Sequence, residues 1–296
     1  MQNKSSLVPI LKALFAVLVW GGSFVATKVA LRDVSPVTVV WLRFGMGFII
    51  LGLGVFGRRQ FAIPSRRDLV YFAFLGFLGI TFHQWLQSTG LTTAQATTTA
   101  WIVATTPVFM ALLGWLVLKE KLSWLMLLGI IIASLGVLLV VSKGDLWALA
   151  SGQAFTYGDL LILISAPNWA IFSTLSRQGL NRHPAARMMF YVMGFGFFFT
   201  TILFLTGPGP AEISHLTFNG WLGVAFLGIL CSGVAYIFWY DALQAMPVAQ
   251  TGAFVYIEPF VTVLVAAVVL GEPLLPASLL GGAASILGVW LVNRRK

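Results

Sequence analysis

The chain has too few charged residues for a protein that folds in water. Only 9% of its 296 residues are Asp, Glu, Lys or Arg, 59% are hydrophobic, and the mean hydropathy is +0.93. In soluble domains about a quarter of the residues carry charge. The composition therefore excludes a water-soluble globule and predicts a polytopic membrane protein.

Cysteine is almost absent, and this excludes further classes of protein. The single Cys231 lies in an apolar segment, so the chain forms neither an internal disulfide framework nor a cysteine metal cluster. No glycine-rich loop is followed by Lys and Ser or Thr, so we expect no ATP hydrolysis by this chain alone. We expect no metal and no cofactor. No signal-peptide pattern occurs, and we expect the first apolar segment to belong to the mature structure.

Ten apolar stretches are each close to the ~20 residues that a helix needs to cross a bilayer. They cover residues 8–30, 37–56, 69–88, 94–118, 124–142, 157–178, 188–206, 217–240, 250–270 and 275–292. Residues 125–141 are apolar on every face, unlike the period-two strands of a membrane barrel. The sequence predicts an all-α integral membrane protein with ten transmembrane helices.

One five-helix pattern occurs twice in the chain. Residues 73–140 align with residues 225–292 without a gap at an offset of 152, and 22 of 68 positions are identical. The identities include Gly76 with Gly228, Pro107 with Pro259, Glu120 with Glu272, Gly129 with Gly281 and Gly136 with Gly288. Because five is odd, the two copies enter the bilayer in opposite senses, which is a transporter's plan. We predict repeat 1 over residues 1–143, a connecting loop over 144–156 and repeat 2 over 157–296.

Basic residues predict the orientation of these helices. With the N terminus inside, fourteen Lys and Arg residues fall on the cytoplasmic side and three, Lys28, Arg32 and Lys143, on the other. This bias predicts that both termini are cytoplasmic, and it accounts for the net charge of +9 without nucleic acid as a partner. Arg43 falls within the second span, where we interpret it as an anchor that reaches outward along its flexible stem.

Three segments resemble the EamA branch of the drug/metabolite transporter superfamily. They are Trp20-Gly21-Gly22-Ser23-Phe24, the stretch from Thr106-Pro107 to Lys119-Glu120-Lys121-Leu122, and the stretch from Glu258-Pro259 to Gly271-Glu272-Pro273-Leu274. Trp20-Gly21 and Lys28 also recur as Trp169-Ala170 and Arg177, at an offset of 149. Within that branch, the chain is most similar to the YddG-type amino acid exporters.

The resemblance implies a basket of two inverted five-helix repeats. In that family, helices 1, 3, 4, 6, 8 and 9 surround a central cavity, and helices 5 and 10 pack outside as braces. The resemblance also implies a bacterial inner (plasma) membrane, amino acids as substrates and lipids as the surroundings. The sequence leaves the oligomeric state open, with a monomer as one option.

Polar and aromatic side chains near the middle of the helices are candidates for substrate contacts, because polar atoms at that depth need a partner or a cavity. The candidate residues are Trp20, His83, Gln87, Thr98, Trp101, Thr105, Asn168, Trp169, Tyr256 and Glu258. His83 and Gln87 are four residues apart and share one helix face. Thr98, Trp101 and Thr105 form a stripe on the fourth helix.

Each candidate also has a structural interpretation. His83 belongs either to a network between helices, to a cavity wall or to a proton pathway. The threonines can bond their own backbone, and Asn168 can satisfy the carbonyl that Pro167 leaves open. Glu258 is protonated and hydrogen-bonded, paired with a cation, or exposed to water in the cavity. Gly129 and Gly281 have the spacing to small residues that allows two helices to approach closely.

These candidates suit a small amphiphile, since aromatic faces hold apolar groups and ammonium ions and the amides bind polar ends. The sequence predicts export of neutral or aromatic amino acids by alternating access, with a drug or nucleoside exporter of the same superfamily as the alternative. An intramembrane enzyme would need paired acids, a zinc helix or an activated nucleophile, and a channel would need a repeated polar ring. We find neither pattern, and we predict no catalytic residues.

Overall fold

The computed structural model describes residues 7–118, 124–145, 147–148, 151, 154–246 and 254–293. Within these residues the chain forms helices and no strands. Several residues used above lie outside the described ones: the Lys119-Glu120-Lys121-Leu122 motif, parts of the predicted loop 144–156, and Lys4, Arg294, Arg295 and Lys296, which are four of the fourteen cations predicted to be cytoplasmic.

Over the described residues, each predicted apolar stretch falls on a helical segment, and residues 250–253 of the ninth stretch lie outside the described ones. In chain order the segments are α1 (Leu7–Ala30), α2 (Pro36–Gly57), α3 (Arg66–Gly90), α4 in two parts (Ala96–Val103 and Thr106–Leu118), α5 (Trp124–Val141), α6 (Tyr157–Leu180), α7 (Ala185–Thr206), α8 (Phe218–Ala242), α9 (Phe254–Leu270) and α10 (Pro276–Asn293). Seven of them, α1, α2, α3 and α5 to α8, are long and apolar enough to cross a membrane, while α9 and α10 are shorter apolar helices.

Proline interrupts α4 and α9 at corresponding places. The first part of α4 ends at Val103, two turn residues follow, and Pro107 stands at the second position of the second part. In α9 a 3₁₀ turn, Phe254–Ile257, precedes Glu258 and Pro259. Proline lacks a backbone N–H and clashes with the carbonyl one turn back, so a continuous helix cannot pass through it undisturbed.

Helices α5 and α10 pack through reciprocal glycine contacts. A Cβ atom added to Gly129 would lie 2.6 Å from the Gly288 carbonyl oxygen, and one added to Gly288 would lie 2.5 Å from that of Gly129. Gly136 and Gly281 approach each other in the same way, at 2.5 and 2.6 Å. Rising numbers on α5 meet falling numbers on α10, so the two helices are antiparallel. The predicted close packing of these helices through small residues is confirmed.

Two further helix pairs, α2 with α8 and α7 with α3, pack through contacts at equivalent positions of the two halves. In the α2–α8 pair, a Cβ atom on Gly47 would lie 2.6 Å from Ser232 Cβ. In the α7–α3 pair, a Cβ atom on Gly196 would meet Ile80 Cβ. Gly196 follows Gly47 by 149 residues, and Ile80 precedes Ser232 by 152. A second contact of each interface obeys the same offsets: Gly228 with Met46, and Gly76 with Phe195.

At one end of the helix bundle, which we call the Glu272 end, the loop after α9 contacts the start of α4. The Glu272 carboxylate accepts hydrogen bonds from the backbone nitrogens of Ala96 and Thr97, at 2.8 and 3.0 Å. Lys28 Nζ donates to the carbonyl oxygens of Leu91 and Ala94, at 3.3 and 2.5 Å. These contacts connect α1, α3, α4 and α9.

At the opposite end, the Asp241 end, charged pairs connect α1, α2 and α8. Asp241 accepts from Lys12 Nζ at 2.6 Å and from both terminal nitrogens of Arg58, at 2.6 and 2.9 Å. At the same end, Asp68 at the start of α3 lies 3.3 Å from His183 and 3.9 Å from Arg182.

Candidate functional site

Helices α3 and α8 each contain a π-helical segment. The segments are Phe77–Phe82 in α3 and Phe226–Val234 in α8. They fall at matching places, because moving 226–234 back by 152 residues gives 74–82. A π segment inside an α-helix is uncommon and frequently marks a functional site. The candidate site is therefore the region between the helices at this level.

A side chain from the opposite half binds each π segment. Trp20 Nε1 on α1 donates to the Cys231 carbonyl oxygen of α8 at 3.1 Å. Asn168 Nδ2 on α6 donates to the Leu78 carbonyl oxygen of α3 at 3.0 Å. The Asn168 amide nitrogen thus bonds across to another helix, and the carbonyl that Pro167 leaves open is not its partner.

Next to this contact, α3 presents a polar wall. The His83 side chain is 4% exposed, and its ring centroid lies 4.8 Å from that of Trp169 on α6. His83 Nδ1 has no hydrogen-bond partner among the described residues, and Gln84 and Gln87 on the same helix are also buried. A buried polar atom without a partner costs about 1–3 kcal/mol. His83 Nδ1 is therefore a buried polar atom whose hydrogen-bonding capacity no described residue uses.

At the corresponding place, α8 presents an aromatic wall. The Trp20 ring lies 5.7 Å from the Tyr236 ring and 5.2 Å from the Trp239 ring. Tyr236 and Trp239 stand 152 residues after Gln84 and Gln87. The two halves thus use one backbone arrangement to present amides on one side and aromatic rings on the other.

Arg43 lies between these two walls, and the interpretation of this residue as an outward anchor is wrong. Its side chain is buried, with only 6% of the residue exposed. Nε donates to Ser232 Oγ on α8 and Nη1 donates to Gln84 Oε1 on α3, both at 3.1 Å. Acceptors within reach on two neighbouring helices make it unnecessary for the side chain to extend to the membrane surface. No carboxylate among the described residues forms an ion pair with it.

Glu258 lies where α9 contacts α1. Thr262 Oγ1, one turn after Glu258, is 2.7 Å from the Gly21 carbonyl oxygen and 3.0 Å from that of Glu258. A Cβ atom on Gly21 would lie 2.9 Å from the Glu258 carbonyl oxygen, so only glycine allows this approach. The Glu258 carboxylate forms no ion pair with a described cation, and of its three interpretations pairing with a cation is not supported.

Trp101, in the stripe on α4, packs against helices other than α3 and α8. Trp101 is fully buried, packs with Val140 of α5 and Val263 of α9, and its ring touches Gly282 of α10. Of the stripe, Trp101 thus packs against α5, α9 and α10, while Thr105 is one of the two turn residues between the parts of α4.

The remaining candidates are likewise separate from the two walls. Thr98 lines a cavity of about 50 Å³ beside Lys143 and Asp159 at the Glu272 end. Thr105 Oγ1 donates to the Ile102 carbonyl oxygen of its own helix at 2.6 Å. Tyr256 packs on a cluster of apolar residues from α4, α5 and α10, formed by Val108, Ala133, Val289 and Val292.

Sequence reasoning left Arg43 and Gln84 out of the candidate residues, although both lie in the region of the candidate site. An ionisable residue within a span is a functional candidate by default, and this signal was present for Arg43. For Gln84 the signal was weaker, because only the three-dimensional contact to Arg43 distinguishes it from other polar groups of α3.

Comparison with known proteins identifies the family. The model of the EamA-like transporter family matches residues 7–142 and again residues 156–294. An uncharacterized transporter of Archaeoglobus fulgidus is 30% identical over 100% of this chain and 99% of its own length. A probable terminal-alkyne amino-acid exporter of Streptantibioticus cattleyicolor is 29% identical over 94% of this chain and 91% of its own. A protein of known crystal structure that is 19% identical aligns with 98% of this chain and 97% of its own, with a TM-score of 0.65. This similarity supports the fold alone.

Proposed function

Because the chain belongs to the EamA-like transporter family, we propose that this transporter exports small amphiphilic metabolites, and specifically neutral and aromatic amino acids. In this proposal ten helices cross the membrane as two inverted repeats. One site between the halves opens alternately to each side.

The repeated helix interfaces support alternating access. The α2–α8 and α7–α3 pairs share one register, and α5 and α10 are antiparallel through reciprocal glycines. Two related halves that meet in this way can exchange their roles, so that closing one end opens the other. The repeated interface is the main observation that supports alternating access.

The two walls support the class of substrate. His83, Gln84 and Gln87 offer hydrogen bonds from α3, while Trp20 and Tyr236 offer ring faces. A neutral amino acid has polar groups at one end and an apolar body at the other, and aromatic faces also attract its ammonium group. A relative described as a probable amino-acid exporter is consistent with this class.

Six of the sequence candidates remain in the proposed site: Trp20, His83, Gln87, Asn168, Trp169 and Glu258. We assign Trp101, Thr105 and Tyr256 to packing, and Thr98 to the small cavity at the Glu272 end, outside the proposed site. The Asp241 end carries most of the cations, and we propose that it faces the cytoplasm, with both termini on that side of a bacterial inner membrane.

Uptake by proteoliposomes tests the function. We expect saturable uptake of labelled phenylalanine and leucine that is accelerated several-fold by the same amino acid inside, as alternating access requires. If uptake of uridine or of a lipophilic cation is accelerated instead, that class of compound replaces amino acids as the substrate. Flux without acceleration would indicate a channel.

Matched tryptophan variants locate the site in the same assay. Trp169→Phe should raise the phenylalanine concentration that gives half-maximal uptake, since Trp169 lies against His83. Trp124→Phe is the control, because Trp124 is 77% exposed at the start of α5. Equal behaviour of the two variants would contradict the proposed location.

A further inference from the structure

Arg43 is a buried cation that has neutral partners only. Its two hydrogen bonds go to Ser232 and Gln84, whereas every ion pair in the described part of the chain involves other residues. A charged side chain in the middle of a membrane helix costs ~2.5–3.5 kcal/mol on insertion scales. Glutamine or methionine would fill the same space at lower cost, so the positive charge requires an explanation.

The other half of the molecule shows that the helix packing does not require this cation. The offset that matches Gly47 with Gly196 matches Arg43 with Val192. Val192 is fully buried in the same apolar cluster as Ile80 and Tyr236.

Ile80 and Tyr236, two members of the cluster that contains Val192, correspond to the two partners of Arg43. Moving Ser232 back by 152 residues gives Ile80, and moving Gln84 forward by 152 gives Tyr236. One copy of the interface is thus built from a cation, an amide and a hydroxyl, and the other from apolar groups and a tyrosine. Packing alone is satisfied by the apolar copy.

Arg43 is also at the edge of the proposed site. Gln84 follows His83 directly, and Ser232 follows Cys231, whose carbonyl oxygen binds Trp20. A guanidinium group has five N–H donors in a planar fork, and the bonds to Gln84 and Ser232 use two of them. The remaining donors match the two oxygens of a carboxylate.

We propose that Arg43 binds the carboxylate of the transported substrate, and that Gln84 and Ser232 hold its guanidinium group in position. This assignment rests on the proposed function and narrows it to carboxylate-bearing amphiphiles. The carboxylate supplies the missing opposite charge, and the apolar body of the substrate reaches the rings of Trp20 and Tyr236.

Transport of phenylalanine and phenylalaninamide, which lacks the carboxylate, tests the proposal in proteoliposomes. The wild-type chain should prefer phenylalanine by tenfold or more. Arg43→Gln should lower phenylalanine flux by at least tenfold and leave phenylalaninamide flux within twofold. Arg43→Lys should give an intermediate preference, since it keeps the charge but loses the planar fork.

A second variant keeps the test decisive if Arg43→Gln does not fold. Gln84→Glu places a carboxylate at the atom that now bonds Arg43 Nη1 at 3.1 Å, so an internal ion pair would occupy the guanidinium group. We expect a folded protein with unchanged thermal unfolding that has lost phenylalanine flux by tenfold or more. Gln178→Glu is the control, because it adds the same charge at an exposed position of α6.

The outcomes separate the two proposals. If the wild-type chain transports neither probe nor any other amino acid, the proposed function fails. If it prefers phenylalanine and Arg43→Gln or a folded Gln84→Glu keeps that preference, the amino acid carrier stands and the assignment of Arg43 is overturned.

Discussion

The two ends of the helix bundle join the same two halves through different interactions. At the Glu272 end, Asp33, Glu212 and Glu272 each accept a hydrogen bond from a backbone N–H group of the other half. Asp145 and Asp159 accept the same kind of bond from residues two or three positions away in the chain. At the Asp241 end, both described carboxylates, Asp68 and Asp241, have cationic partners.

This difference follows from the distribution of cations. Among the described residues, three Lys or Arg residues lie at the Glu272 end (Lys28, Arg32 and Lys143) and eight at the other (Lys12, Arg58, Arg59, Arg66, Arg67, Arg177, Arg182 and Arg187). Where cations are scarce, helix N-termini provide the N–H donors and the favourable dipole for a carboxylate. The bias that orients a membrane chain thus also decides how each end is held together. Hydrogen bonds at the Glu272 end should be less sensitive to salt than charge pairs at the Asp241 end.

The largest expected effect is all-or-none and concerns which end faces which side. In a Cys231→Ala background, Asn181→Cys should react with an impermeant thiol reagent only from the cytoplasmic side, and Ser151→Cys only from outside. Both residues are exposed, so the reagent can reach them. Labelling of both from one side would contradict the inverted repeat and the opposition of the two ends.

The next largest effect concerns the cap on α4. Glu272→Ala removes the acceptor for two backbone N–H groups, and loss of a helix cap costs about 0.5–2 kcal/mol. We expect a lower thermal unfolding temperature in detergent, with a decrease that is nearly the same in low and high salt. Asp145→Ala is the control, because the bonds of its exposed carboxylate to described residues go to Trp147 and Ala148 nearby in the chain. A defect that disappears in high salt would show that Glu272 acts mainly through charge.

A smaller effect is expected from the charge pairs. Asp241→Asn weakens contacts to Lys12 and Arg58, and exposed pairs of this kind contribute about 0.2–1 kcal/mol each. The unfolding temperature should fall in low salt and approach the wild-type value in about 1 M salt, where screening extends over only a few ångströms. Lys12→Gln removes one pair and should show about half the effect. If the unfolding temperature of Asp241→Asn is lowered equally in low and high salt, the two ends do not differ in their sensitivity to salt.

The smallest effect is a pH dependence at Glu212. Burial alone would raise the pKa of this carboxyl group, but hydrogen bonds from Thr38 and Ser35 lower it below the ordinary value of 4.5. Stability from this group is therefore present above pH 4.5 and is lost as the pH falls through the lower value of the folded state. Thr38→Val should flatten the fall in unfolding temperature below that pH. An identical pH profile in wild type and variant would show that the Thr38 bond contributes nothing.

Periodicity predicted which residues share a helix face, but not what each face packs against. Thr98 and Trp101 do lie on one face of α4, yet α10 contacts that face through Gly282. For Arg43, periodicity likewise did not predict whether the side chain points to the membrane surface or into the protein. A cation in a span can extend outward or inward, and the choice depends on acceptors that are 41 and 189 residues away in the chain.

The sequence by itself determined the membrane class, the helical segments, the repeated pattern and the close packing of α5 on α10. These depend on composition, on spacing within one helix and on identities between two segments of the chain, all of which can be read without knowing how the helices pack. Only the tertiary structure decided that α2 pairs with α8 as α7 pairs with α3, that the π segments accept bonds from the opposite half, and that Arg43 lies between Gln84 and Ser232. Those arrangements depend on how the helices pack against one another, and side chains distant in sequence find their partners only after that packing has formed.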